Sequence, residues 1–140
     1  MATYNKFQQF VEDIAHKIHD LETDQLSVAL CATASAPVAT NSVLADLTEI
    51  AYTNLSARDI TTTSSGHTTG TYTLVMTDLV LTASGGAVAA FQYVVIYNNT
   101  PAAPLDPLIC WYDYGSALTL ADGETLTIDF SAANGLLQIV

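Results

Sequence analysis

Residues 71–97 read TYTLVMTDLVLTASGGAVAAFQYVVIY, and this stretch decides the class of fold. Tyr72, Leu74 and Met76 alternate with Thr and Val, and Leu79 and Leu81 resume the alternation one residue out of phase. A period of two is the pattern of a strand with one buried face. The phase change at Thr77-Asp78 predicts one inserted residue, a β-bulge. Ser84-Gly85-Gly86 then supplies a turn that tolerates positive φ, read as a hairpin. Val88 to Tyr97 runs almost continuously apolar, which predicts a central strand covered on both faces.

The same signals continue toward the C-terminus. Asn98 to Pro107 carries three prolines and is expected to be a loop. Leu108 to Tyr114, Ala117 to Leu120, Glu124 to Phe130 and Leu136 to Val140 read as short strands, with hairpin turns at Asp122-Gly123 and Asn134-Gly135. Before residue 71 the pattern is weaker. Asp24 to Leu30 alternates as a half-buried strand, Ala32 to Ser42 is a loop, and Val43 to Ile50 suits a short helical turn. Thr53 to Gly70 is polar and irregular, expected as a long loop that is mobile or ordered by a partner. Short strands at this spacing predict a mainly β fold, an antiparallel β-sandwich or jelly roll.

The N-terminal segment differs. Phe7, Phe10, Val11, Ile14, Ile18 and Leu21 recur at steps that place them on one stripe of an α-helix spanning Tyr4 to Leu21, with Thr3 as N-cap. The helix either covers one side of the β body or acts as an arm packing on another copy or a partner. The chain is thus one domain, 1–140, with a helical arm at 1–22 and a β-sandwich body at 23–140.

Composition narrows the partners. Lys6, Lys17 and Arg58 are the only cations against fourteen acids, a formal net charge of −11. Displacing counterions from phosphates needs several Lys or Arg together, so neither nucleic acid nor an anionic membrane is an expected partner. The acidity keeps a chain that is 50% hydrophobic dispersed by mutual repulsion. No apolar run approaches the length of a membrane span, and the opening residues have no signal-peptide pattern, so use without export is expected. Cys31 and Cys110 lie in apolar strand text without metal-motif spacing; buried free thiols are expected, with an internal disulfide as the alternative.

Catalytic patterns are weak. His16 and His19 sit three apart on the expected helix and read as solvated residues, and His67 lies in the Thr/Ser/Gly stretch. No Gly-Xaa-Ser-Xaa-Gly elbow exists. Asp122, Glu124 and Asp129 can be drawn as a glycosidase cluster, but turn and strand positions explain them better. No metal, cofactor or catalytic residue is expected. The one stretch able to recognise a ligand is Trp111-Tyr112-Asp113-Tyr114, where Trp111 and Asp113 share one strand face and Tyr112 and Tyr114 the other. Core or subunit contact is the commoner use of such a segment. The candidate contact residues are therefore Phe7, Phe10, Val11, Ile14, Ile18, Trp111, Tyr112 and Tyr114.

Several segments carry a family resemblance: YNKFQQFVEDIAHKIHDL, TDQLSVAL, VLADLTEI, GTYTLVMTDLVLTASGGAVAAFQYVVIYNN, DPLICWYDYG and LTLADGETLTIDFSAANGLLQI. Together they resemble small virion structural proteins of tailed bacteriophages, of the capsid decoration (cement) type. The likeness spans most of the chain and is weakest across Tyr52 to Gly70. It implies a non-enzymatic protein on the capsid exterior, assembled in the host cytoplasm. Such a protein bridges major capsid subunits, commonly as a dimer or trimer. Some relatives belong to the neck or tail, which implies a receptor- or carbohydrate-binding β-sandwich as the alternative.

The charge balance generates a first prediction. At physiological salt and micromolar protein, duplex and single-stranded nucleic acid should run unshifted in a gel. A shift that weakens with added salt would contradict it.

Overall fold

A computed structural model describes residues 2–140. The fold is mainly β, with antiparallel sheets and one short α-helix. The strands are β1 (Thr3–Lys6), β2 (Leu26–Cys31), β3 (Asp59–Ile60), β4 (Thr62–Thr68), β5 (Thr71–Met76), β6 (Leu79–Thr82), β7 (Phe91–Asn98), β8 (Leu108–Leu118), β9 (Thr125–Ile128) and β10 (Leu137–Ile139). They form a five-stranded sheet β1-β8-β7-β2-β3, a three-stranded sheet β10-β5-β4 and a two-stranded sheet β6-β9.

The apolar run predicted as a central strand is β7, flanked by β8 and β2. Its residues alternate between two cores. Val94 and Ile96 join Leu26, Val28 and Leu30 of β2 in a cluster that also takes Leu74, Met76, Leu81 and Leu137 from the smaller sheets. Val95 and Tyr97 point the other way, with Ala29 and Cys31, and are roofed by Ala39, Leu44 and Leu47. That roof explains why β2 is buried at all six positions, where the sequence predicted one exposed face. Small side chains, Ala29 and Cys31, let the segment lie close. Within the roof, Leu44–Asp46 makes one 3₁₀ turn, shorter than the helical turn expected over Val43 to Ile50.

Four expectations are corrected. The phase change at Thr77-Asp78 is no bulge: the chain leaves one sheet after β5 and enters another at β6, where Leu79 pairs with Ile128. Asp78 fixes the crossing by accepting the Phe130 N–H at 2.9 Å. The turns at Gly85-Gly86, Asp122-Gly123 and Asn134-Gly135 likewise link strands of different sheets, so none closes a hairpin. Turn chemistry reports a reversal, not which strand is met after it. Leu108 to Leu120, expected as two strands, is the single β8 through Leu118. Finally, the expected loop Thr53 to Gly70 contains β3 and β4, and β4 forms the tight hairpin with β5. Its Thr and Ser residues suit a half-exposed pleated surface. Thr69 (φ 50) and Gly70 (φ 88) form the two-residue turn, both left-handed as a type I′ connection requires.

The helical arm is also corrected. Thr3 to Lys6 is the edge strand β1, paired with β8 from Thr3↔Asp113 to Lys6↔Cys110. The helix α1 covers only Gln9–Ala15, with Gln8 rather than Thr3 at its N-cap. Lys17 at φ 62 turns the chain left-handed just past the helix, and the Ile18 N–H closes the end on the Asp13 carbonyl at 2.9 Å. The six-residue stripe is divided between two cores and the surface. Phe7 is fully buried among the roofed residues, while Phe10 and Leu21 belong to the larger cluster. Residues from Thr3 to Leu21 are therefore built into the body.

This partition predicts unequal effects along the stripe. Phe7→Ala should cost about 3–5 kcal/mol in denaturant melts. Val11, 54% exposed, should tolerate Ala within about 0.5 kcal/mol. Equal effects would restore the continuous stripe.

Candidate contact surface

The aromatic segment sits on β8 with the face alternation read from the sequence. Trp111 is buried, its ring 4.5 Å from that of Phe7 and tilted by 41°. Tyr112 is half-buried on the opposite face, edge-on to Tyr4 at 5.5 Å. Burial pushes the Tyr112 hydroxyl well above the usual phenol range, aided by the Cys110 thiol behind it. Tyr114 alone is half exposed. Asp113 accepts the Gln92 side-chain N–H at 2.9 Å and the Gly115 backbone N–H at 2.8 Å, so its carboxylate holds the strand where Gly115 turns. These side chains do not converge into one platform.

Among the other contact candidates, Phe7 and Phe10 lie inside the chain's own cores, Ile14 and Ile18 are half-buried, and Val11 is exposed. Ile14 joins Leu21, Tyr72 and Ile139 in the apolar floor of a shallow groove of about 360 Å³, rimmed by Lys17, Asp20 and Glu22. A second groove, about 370 Å³, lies on the roof between Leu44, Leu47 and the 66% exposed Leu105, with Glu49 and Asp106 beside it. Sequence reasoning did not find either, because each is assembled from segments far apart in the chain.

Acidic side chains serve the turns. Asp46 accepts the backbone N–H groups of Ser42 (2.8 Å) and Val43 (3.2 Å), which holds its carboxyl below the usual range. Two of the three acids that can be drawn as a glycosidase cluster do the same: Asp122 accepts from Gly85 at 2.9 Å and Glu124 from Ala121 at 2.8 Å. Arg58 lies over the Tyr52 ring at 3.6 Å, donates to the Val28 carbonyl and faces Glu49 at 3.9 Å. One of the three cations is thus engaged within the fold.

The cysteines cannot pair. Cys31 and Cys110 are free and buried, on β2 and β8 with β7 between them. Strands two apart in a sheet are separated by about 9.5 Å, beyond disulfide reach. Cys31 also faces the roofed cluster and Cys110 the larger one. Burial pushes the Cys31 thiol up to about 11.

The chemistry missed from sequence is a buried polar network joining residues 9–24 to the end of β7. His16 is exposed beside Glu12, as expected. His19 is not: past the helix end it is only 8% exposed, packed on Phe10. The Thr100 N–H donates to Asn98 Oδ1, which fixes the Asn98 amide. Asn98 Nδ2 then donates to Asp24 at 2.6 Å and meets His19 Nδ1 at 3.1 Å. His19 Nδ1 must therefore be the acceptor, leaving its proton on Nε2, 4.0 Å from Asp13 Oδ2. Asp13 accepts from Gln9 through its other oxygen. No sequence signal marked it: Asp13 and His19 both lie off the apolar stripe and read as solvated helix residues. Among the described residues no group of three or more His, Cys, Asp and Glu gathers as a metal site, and no helix is long and apolar enough to cross a membrane.

This network predicts acid sensitivity. Burial holds His19 below the ordinary histidine value of 6.5, against the pull of Asp13 and Asp24. A depressed folded-state pKa gives stability that is complete above 6.5 and lost as pH falls from there through the folded value. Urea melts should lose up to about 1.4 kcal/mol per pH unit in that window, and His19→Gln should flatten the slope. An unchanged slope in the variant would assign the loss elsewhere.

No protein-family model, curated protein or solved structure matches this chain.

Proposed function

We propose that this chain is a non-enzymatic structural protein of the capsid decoration type, occupying the outside of a phage head and bridging major capsid subunits. In this reading the two smaller sheets form the second layer of a sandwich, jelly-roll-like, over the five-stranded sheet. The sequence resemblance set out above supports it. One structural observation carries it further: five of the acids that could do chemistry hold the fold together instead. Asp46, Asp78, Asp113, Asp122 and Glu124 each accept a backbone N–H that fixes a turn or a crossing. What the surface offers is shape: two shallow apolar grooves with acidic rims, and the exposed hairpin β4–β5.

A protein acting this way works by occupancy. Binding only the assembled lattice stabilises it by RT ln(1 + [L]/Kd) per site, about 2.7 kcal/mol at a hundredfold excess over Kd. Repetition over many sites makes modest affinity sufficient. Heads lacking the protein should assemble but break at lower temperature or milder osmotic shock, and purified protein added back should restore them. Heads that lose no stability without it would overturn the reading. So would a protein found solely at the tail tip, which would favour receptor or carbohydrate binding.

A further inference from the structure

Among the described residues, the outer edge of β4 has no strand beside it. We infer that two copies of this chain pair through β4, edge to edge and antiparallel, joining their three-stranded sheets into one of six strands.

Exposed edges are ordinarily guarded by Lys, Pro, inward charge or extreme shortness, because free N–H and C=O groups recruit further strands. The other ends are short or guarded: β1 carries Lys6, β3 is two residues long with Asp59, and β10 has three residues. β6 and β9 have four each, β6 capped where the Ser56 N–H donates to the Thr82 carbonyl and β9 flanked by Glu124 and Asp129. β4 runs seven residues, TTSSGHT, and is mostly exposed. Its one irregularity lies at its start, between Thr62 and Ser64, which leaves Ser64 to Thr68 in regular register.

Charge selects the occupant. No Asp, Glu, Lys or Arg occurs from Ile60 to Thr77, whereas the whole chain carries −11; Asp20 and Glu22, offset by Lys17, approach one face of the hairpin at Ser65 and Tyr72. A cationic partner is drawn to the acid-bearing surfaces. A second equally acidic copy is repelled from those surfaces and meets less repulsion along the uncharged outer edge of this hairpin.

The geometry is self-complementary. In a two-residue hairpin the closing pair, here Thr68 and Thr71, exchanges both hydrogen bonds. The alternation then turns the backbone N–H and C=O of Ser65 and His67 out of the sheet. A two-fold axis at Gly66 sets Ser65 of each copy opposite His67 of the other, where both pairs exchange two bonds. Gly66 offers no side chain to block the approach, and a Cβ built there meets nothing within 4 Å. This inference stands independently of the capsid reading.

The test uses the full chain. Gly66→Cys should give an inter-chain disulfide under mild oxidation, since non-hydrogen-bonded pairs place their Cα atoms about 4.5 Å apart. Thr3→Cys on β1 is the control, and the native thiols are buried. In sedimentation equilibrium the dimer should strengthen with added salt, which screens the net charge. Gly66→Glu places like charges on the axis and His67→Pro removes an outward N–H. Each should weaken dimerisation about tenfold or more, with the thermal melt of dilute monomer showing that the fold is kept. A chain that stays monomeric at millimolar concentration in high salt overturns the inference. So does cross-linking no greater than the Thr3→Cys control, or a dimer that both β4 variants leave unchanged.

Discussion

The five-stranded sheet is apolar on both faces, and the rest of the molecule is arranged to keep both from water. Burial at alternate positions of β2 and β7 demands two covers. The smaller sheets provide one. The other is a strap of irregular chain through Ala39, Leu44 and Leu47, which reaches the sheet only because Ala29 and Cys31 stand low beneath it. Asp46 keeps that strap turned, and the Leu44 N–H ties it to the Asp106 carbonyl at 2.9 Å. The N-terminal segment crosses between the covers, placing Phe7 under one and Phe10 under the other.

What could be read in advance follows from the range of the forces involved. The identity of β7 was legible because double-sided burial writes itself as an uninterrupted apolar run. Strand order was not. The shift at Thr77-Asp78 has the same sequence signature whether one residue is inserted or the chain changes sheets; the difference lies in Phe130, fifty-two positions away, which donates to Asp78. The N-terminal stripe misled for a related reason. A helical period fits six residues there, but Lys17 adopts a left-handed backbone with no glycine to announce it.

The candidate site was legible only in outline. Alternation along Trp111 to Tyr114 gave the faces correctly, since a strand allows nothing else. Whether Trp111 was free could not be read from β8 alone, because its cover is Phe7, reached through the edge pairing of β1. His19 was harder still. Its partner Asn98 belongs to a strand end that is loop-like in sequence, and its burial depends on Phe10 and Asp13 arriving together.

The pairing of β1 with β8 also sets an order of events during synthesis. Lys6 meets Cys110 across the sheet, so β1 waits for β8, made about a hundred residues later. At ribosomal rates of about 5–20 residues per second, the intervening chain takes roughly 5–20 s to appear. Throughout that interval Phe7 and Phe10 have no completed core to enter. Nascent chains caught in this window present an aromatic, unsatisfied strand, which is the form a holdase chaperone would engage.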